Sequence, residues 1–282
     1  MLIRRLTRLG HPRLRDLRAK AMREGAPSGY LLRPVTRWLE RGALRVPQGR
    51  GEHLLLDLRY LPVSHAHLGA LAFGSLEYPV QEAMVRHLGR GDVFYDIGAN
   101  LGFFSMLGAR LVGYEDGLVY AFEAAPDNAA AIRSNAHLNS MPNIEVIGKA
   151  VAAHAGRGRL QVVDDQSWSK LSEYGDHPYT ERVIDVELVA IDELVQAGEI
   201  KPPALVKIDV EGAELAVLEG MRQTIADHQP AIICELHDTH GEFVAAMAEH
   251  RYRVLNLEGP APIDQATASA HALALPPLHP GD

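Results

Sequence analysis

Hydrophobic and polar residues follow two patterns along this chain, and each pattern predicts a different element. Short apolar runs bounded by glycine or turn residues predict buried strands. Longer stretches with apolar residues at helical spacing, which end near glycine, asparagine or proline, predict helices. Strands are predicted at 93–97, 118–123, 144–151, 158–163, 183–189, 204–208, 231–234, 251–257 and 271–275. Helices are predicted at 79–88, 103–112, 126–138, 191–196, 212–219 and 241–250.

The order of these elements predicts the fold class. Strands and helices alternate through the middle of the chain, which favours a doubly wound, mostly parallel sheet with helices on both faces. We therefore predict an α/β domain with a seven-stranded sheet over residues 76–282. Residues 1–75 have a different pattern, because prolines interrupt their apolar runs. We expect this part to contain helices and a short hairpin that cap one end of the sheet.

The first 25 residues are basic and amphipathic. Residues 1–24 contain eight arginines and lysines against two acidic residues, and leucines recur at helical spacing around Pro12. A segment of this kind is typical of contact with an anionic membrane surface or with an acidic partner. The alternative interpretation is a helix that packs on the core and exposes its arginines to solvent.

Composition narrows the class of protein. The net charge of −8 argues against nucleic acid as the main partner. Cys234 is the single cysteine, so no intramolecular disulfide framework exists and a reducing compartment is indicated. The sequence contains no apolar run long enough to cross a bilayer, and we recognise no signal peptide. We therefore predict a cytoplasmic protein.

A glycine turn after the strand at 93–97 is the most informative stretch. Asp96 lies near the end of this strand, and Gly98, Asn100 and Gly102 follow before the next helix. A strand, a glycine turn and a helix form a crevice at the carboxyl end of a parallel sheet. Gly98 allows a tight turn close to a ligand, and free N–H groups at the helix start are expected to face the crevice.

The acids around this turn distinguish two kinds of cofactor. Glu123 ends the next strand, where a carboxylate binds the diol of a ribose. The turn can hold the carboxylate of an amino acid and Asp96 its ammonium group, which together indicate S-adenosylmethionine. A nicotinamide-dependent oxidoreductase is the alternative, although the spacing G-x-x-x-G lacks the third glycine of a dinucleotide site. A non-catalytic binding protein with the same fold is a third interpretation.

Four longer motifs resemble the FkbM family of S-adenosylmethionine-dependent methyltransferases over residues 75–275. The motifs are DIGANLG, YAFEAAPDN with Asn135 after it, LVKIDVEGAELAVLEG and QPAIICELH. The resemblance implies a class I, Rossmann-like fold and methyl transfer to a hydroxyl of a sugar, lipid or secondary metabolite. Transfer to nitrogen or carbon remains an alternative.

The resemblance also implies a cofactor site. Leu76, Glu77 and Tyr78 are similar to an acidic element of the family just ahead of the first helix. Ala124 departs from the family, in which proline often follows the acid, but Pro126 keeps the start of the helix. The predicted cofactor-binding residues are Glu77, Asp96, Gly98, Asn100, Gly102, Glu123 and Ala124.

Methylation of an aliphatic hydroxyl requires a base or a metal ion, because the hydroxyl is a poor nucleophile at neutral pH. We predict catalytic roles for Asp209, Glu211 and His237, which follow two later strands. His237 is the preferred base because an unperturbed histidine titrates near neutrality. Helix capping by Asp209, and favourable charge at the helix start from Glu211, are the alternatives. Asp209 and Glu235 are weak metal candidates, and a divalent metal is not expected.

The acceptor is predicted to be a small molecule with a hydroxyl group, but the sequence does not identify it. The polar loop at 164–182 contains Trp168 and is long for a connection, so we expect it to act as a lid or an acceptor-binding segment. Simple packing of Trp168 against the domain is the alternative.

Overall fold

The computed structural model describes residues 43–57, 70–71, 74–163, 169–175, 180–266 and 269–277. The basic segment at 1–25 and Trp168 lie outside these residues, so their predicted roles stay predictions. In the part that is described, every helix is too short or too polar to cross a membrane.

Thirteen strands and seven helices occur in the described residues. The strands are β1 Ala43–Arg45, β2 Leu55–Asp57, β3 Val93–Ile97, β4 Leu118–Phe122, β5 Ile144–Ile147, β6 Ala150–Val151, β7 Gly156–Val163, β8 Lys170–Leu171, β9 Thr180–Val189, β10 Leu205–Ile208, β11 Ala231–Leu236, β12 Arg253–Asn256 and β13 Ala270–Leu275. The helices are α1 Tyr78–His87, α2 Phe103–Val112, α3 Pro126–Leu138, α4 Ile191–Gln196, α5 Glu214–Glu219, α6 Arg222–His228 and α7 His240–Glu249. The predicted strand at 144–151 is therefore two strands, β5 and β6.

The main sheet has seven strands in the order β12-β13-β11-β10-β3-β4-β5. Strands β11, β10, β3, β4 and β5 run parallel to their neighbours within this group. Strand β13 runs antiparallel to both β11 and β12. The prediction of a seven-stranded, mostly parallel sheet is confirmed.

A second sheet contains the strands that flank the long polar loop. Its order is β6-β9-β7-β8, and β7 pairs antiparallel with β9. The sequence predicted β7 and β9 as strands but did not separate them from the main sheet. Their burial explains the separation: β9 has many exposed positions, whereas all four residues of β10 are buried. A central strand of a doubly wound sheet is covered on both faces, and a half-exposed strand is typical of an antiparallel sheet.

The core lies on both faces of the main sheet because successive side chains in a strand point in opposite directions. Phe94 on β3 belongs to a cluster with Met84 of α1 and Phe104 of α2. Its neighbour Tyr95 belongs to a second cluster, which includes residues of α4, α5, α6 and α7 such as Phe243. Helices α1 and α2 thus cover one face of the sheet, and α4 to α7 cover the other.

Strands β1 and β2 form the short hairpin that the sequence predicted. The hairpin is fixed to α3 by two side-chain amides: Asn135 Oδ1 accepts from the Asp57 N–H at 2.5 Å, and Asn139 Oδ1 accepts from the Leu55 N–H at 2.8 Å. Leu56 is buried in the same cluster as Phe104. The hairpin therefore packs on the helix layer of one face, and the domain boundary at residue 75 stays a prediction.

Candidate functional site

The glycine turn after β3 lies directly against the loop after β10. Gly98 has φ of +80°, and a Cβ atom there would lie only 1.8 Å from the carbonyl oxygen of Asp209. Gly102 has φ of +79°, and a Cβ there would approach Ile132 Cγ2 to 3.0 Å. Glycine is required at both positions by conformation and by space. The two strand ends are thus held in close contact, and this contact forms the bottom of the crevice.

The N–H groups of the turn are used within the chain. Gly98 and Ala99 both donate to the carbonyl oxygen of Phe122 at 3.0 Å. The Asn100 N–H donates to Glu123 Oε2 at 2.8 Å. These three N–H groups are therefore not available to a ligand, and their effect is to join the turn to the end of β4.

Glu123 is held rigidly at the end of β4. Its Oε1 accepts from the Ala125 N–H at 2.8 Å, and only 8% of the residue is exposed. Burial raises the pKa of Glu123 to about 7, although the hydrogen bonds from Ala125 and Asn100 oppose the rise. In the register of the sheet Asp96 lies beside Ala121, two residues before Glu123, so both acids are on the same side.

A cleft begins at this turn. One wall contains Gly98, Asn100, Glu123 and Ala124, and a second contains Asp209 and Glu211. The small second sheet covers the cleft with residues such as Leu160 and Leu171. The structure thus brings six of the predicted site residues to one cleft.

The other predicted residues lie behind this cleft or beside it. Of the residues that the structure describes, Glu77, Asp96, Gly102, Glu235 and His237 are not part of the cleft lining. The direct cofactor contact that the sequence predicted for Glu77 therefore stays a prediction.

Asp96 lies in a buried polar layer with Lys207. Asp96 Oδ2 accepts from Ser105 Oγ at 2.5 Å, while its Oδ1 is buried and lacks a partner among the described residues. Burial raises the pKa of Asp96 to about 6, against the charge of Lys207. Lys207 is 2% exposed, donates from Nζ to Asp209 Oδ2 at 2.9 Å and lies 4.7 Å from the centre of the Phe104 ring. Its charge offsets those of the surrounding acids.

Asp209 is engaged by this lysine and does not cap a helix. Burial favours the neutral form of Asp209, but Lys207 outweighs it and the pKa of Asp209 is lowered. The following helix α5 begins without a side-chain cap, and the Gly212 N–H near its start donates to Glu214 Oε1 at 2.8 Å. The alternative capping role for Asp209 is therefore wrong.

His237 is surrounded by carboxylates. Its Nδ1 lies 2.7 Å from Oε1 of Glu214, which is fully buried. Its Nε2 lies 3.4 Å from Glu211 Oε2 and 3.7 Å from Glu235 Oε1. Burial lowers the pKa of His237, but the Glu214 hydrogen bond and the nearby acids outweigh it and raise the pKa to about 9. The surroundings of His237 thus move its pKa away from the ordinary value for which it was preferred as the base, and its catalytic role stays a prediction.

A second histidine, His271, lies on the same polar layer. Its Nδ1 is 2.7 Å from Glu258 Oε1, and its Nε2 is 3.2 Å from Glu77 Oε2 and 3.6 Å from Glu235 Oε2. These contacts and the nearby acids outweigh burial and raise the pKa of His271 to about 9. Sequence reasoning missed this residue and Lys207. The KID motif signals Lys207, but nothing local signals His271, which is 194 residues from Glu77.

Among the residues that the structure describes, two groups of side chains have a geometry that suits a metal ion. Asp209, Glu211 and His237 form one group, and Glu77, Glu235 and His271 form the other. In each group the ligand atoms lie within 4.8 Å of one another. The predicted metal pair, Asp209 and Glu235, is divided between the two groups.

The chain is similar to known methyltransferases. The profile of the Methyltransferase FkbM domain matches residues 96–259. The 31-O-demethyl-FK506 methyltransferase FkbM of Streptomyces tacrolimicus is 29% identical over 235 residues, which are 70% of this chain and 88% of the relative. The hexuronic acid methyltransferase AglP of Haloferax volcanii is 28% identical over 162 residues, which are 57% of this chain and 62% of the relative.

Among solved structures, the methyltransferase FkbM from Methylobacillus flagellatus is 16% identical, with a TM-score of 0.45 over 77% of this chain and 56% of that one. The family profile covers more than half of the 282 residues. This chain belongs to the FkbM family of methyltransferases.

Proposed function

We propose that this protein transfers a methyl group from S-adenosylmethionine to a hydroxyl oxygen of a sugar, lipid or secondary metabolite. The observation that carries the proposal is that Glu123, held by the glycine turn, and Glu211 line one cleft from the carboxyl ends of β4 and β10, on either side of β3. The names of two relatives support it, because one acts on 31-O-demethyl-FK506 and the other on a hexuronic acid. A nicotinamide-dependent oxidoreductase is not favoured, since the family profile is that of a methyltransferase.

The residues present fit this cofactor. The carboxylate of Glu123 is suited to the diol of a ribose. The buried Oδ1 of Asp96 lacks a partner in the described part of the chain, and it suits an ammonium group. Gly98, Asn100 and Ala124 would form the floor beneath the nucleoside. When bound, S-adenosylmethionine supplies a methyl group on a positively charged sulfur.

Glu211 is the base in this proposal. Of the three predicted catalytic residues, Asp209 is ion-paired with Lys207, and the acids around His237 raise its pKa to about 9, which disfavours it as a proton acceptor at neutral pH. Glu211 lines the cleft with 28% of its side chain exposed, and burial raises its pKa, which makes it a better proton acceptor. His237, fixed by Glu214, positions the Glu211 carboxylate from 3.4 Å.

The proposed step follows from these positions. Glu211 would accept the proton of the acceptor hydroxyl as the oxygen bonds to the methyl carbon and the carbon–sulfur bond breaks, and S-adenosylhomocysteine would be left. The second sheet covers the cleft and limits water, which favours the dispersal of charge during transfer. We predict that no divalent metal takes part in the reaction. Measuring activity after treatment with a chelator tests this prediction.

The test combines binding and turnover. Titration calorimetry measures the affinity for S-adenosylmethionine, and transfer of a labelled methyl group is measured with a panel of hydroxyl acceptors. Glu211→Gln should lower kcat by about 100-fold or more, with cofactor affinity within about twofold of wild type. Glu219→Gln, on an exposed position of α5, is the matched control. NMR of the product distinguishes methylation of oxygen from that of nitrogen or carbon. Wild-type turnover by Glu211→Gln would disprove the base assignment.

A further inference from the structure

We infer that Ser169 and Lys170 form an anion-binding subsite for the acceptor. The inference rests on the proposed function and makes its substrate class narrower. The acceptor would carry a carboxylate or a phosphate in addition to the hydroxyl that is methylated. Both residues line the cleft from the side of the second sheet, opposite the glycine turn.

Neither side chain is satisfied within the described part of the chain. Ser169 Oγ is buried and has no hydrogen-bond partner there. Lys170, on β8, makes no ion pair with the described residues. A buried hydroxyl without a hydrogen-bond partner and a lysine that forms no ion pair within 4.0 Å among the described residues both line one cleft, and they fit an anionic group that accepts from both.

The other lysine of the cleft differs in this respect. Lys149 follows β5, and its Nζ lies 3.0 Å from Glu187 Oε2. Its charge therefore already has a counterion. The two lysines line the same cleft, so Lys149 is a matched control for Lys170.

The position of Lys170 favours the acceptor over the nucleoside. Lys170 Nζ lies against the turn that follows β8, since a Cβ at Gly175 would lie 3.5 Å from it. The turn that follows β8 also packs on the Glu211 loop, since a Cβ at Gly212 would lie 3.9 Å from Tyr174 Cβ. An acceptor whose hydroxyl reaches Glu211 therefore has Lys170 beside it.

The experiment uses the full chain saturated with S-adenosylhomocysteine, the product form of the cofactor. Titration calorimetry measures binding of glucuronate, glucose 6-phosphate and glucose. The two anions separate a carboxylate from a phosphate, and glucose is the uncharged reference. At least one anion should bind more tightly than glucose. Lys170→Met should weaken binding of that anion by about tenfold or more and leave glucose unchanged.

Lys149→Met is the control variant for Lys170→Met. Lys149→Met should keep the preference for the anion. Equal binding of all three sugars, or an anion preference that survives Lys170→Met, would overturn the inference. So would a loss confined to the affinity for S-adenosylhomocysteine, because Lys170 would then bind the cofactor. A wild-type chain that does not bind S-adenosylhomocysteine would instead refute the proposed function, and the inference with it.

Discussion

Replacing Lys207 by methionine tests the buried polar layer behind the cleft. Methionine keeps the length and the contact with the Phe104 ring but removes the charge. Asp209 Oδ2, now 2.9 Å from Nζ, would lose this counterion, and the nearby carboxylates of Asp96 and Glu77 would lose a neighbouring cation. Removing one member of a buried ion pair costs about 3–5 kcal/mol, because the remaining charge is buried without compensation.

The cost should depend on pH in a defined direction. Without Lys207 the pKa of Asp96 rises further, and the pKa of Asp209 is no longer lowered by that cation, so burial raises it instead. An acid whose pKa is raised on folding destabilises the protein above its ordinary pKa and costs less as it becomes protonated. The deficit of Lys207→Met should therefore be largest at pH 8 and smaller at pH 5.

Urea unfolding followed by circular dichroism at both pH values measures this deficit. Lys201→Met is the control, because the side chain of Lys201 is exposed. Its contacts with the hydroxyl groups of Tyr95 and Tyr120 are hydrogen bonds of the backbone, which the substitution keeps. The control should stay within about 0.5 kcal/mol of wild type. A Lys207→Met variant with wild-type stability at pH 8, or with a larger deficit at pH 5, would refute the reasoning.

Three further predictions concern other parts of the structure. Gly98→Ala should lower thermal stability and abolish cofactor binding, because the new methyl group meets the Asp209 backbone at 1.8 Å; wild-type calorimetry would contradict this. In wild type the free energy of unfolding should fall between pH 7 and pH 10, since the pKa of His271 is about 9 and its stabilising charge disappears as pH rises through that value. His271→Gln should make this fall smaller, and a fall equal to that of wild type would count against the prediction. Asn135→Ala should cost about 1–3 kcal/mol in urea unfolding, because the buried Asp57 N–H loses its acceptor; no change would show that the hairpin does not need this bond.

Local pattern was enough to predict the main sheet. Helices α2 and α3 begin and end at the predicted residues, because glycine and proline mark their ends. The separate second sheet was not predicted, since a strand such as β9 shows its partners only through long-range pairing. Alternation along one strand does not say which sheet it joins.

In the site, too, local sequence predicts some features, whereas others depend on long-range packing. The glycine turn follows β3, and Glu123 follows β4, the strand that pairs with β3. Their proximity therefore follows from the order of the elements along the chain. The charge state of His237 depends on Glu214, which lies 23 residues away and is fixed only by packing. His271 meets Glu77 across the whole domain. An intrinsic pKa therefore does not describe His237 in its surroundings, and the identity of the base stays a prediction.

The central claim is that the cleft between the glycine turn and Glu123 binds S-adenosylmethionine. Titration calorimetry with wild type, Glu123→Gln and the exposed control Glu145→Gln tests it most directly. We expect saturable binding by wild type and by the control, and an affinity lower by about tenfold or more in Glu123→Gln. Wild type should also bind S-adenosylmethionine more weakly at pH 6 than at pH 8, because the pKa of Glu123 is about 7 and its carboxylate becomes protonated below that value. No affinity in wild type, or equal affinity in Glu123→Gln, would contradict the claim.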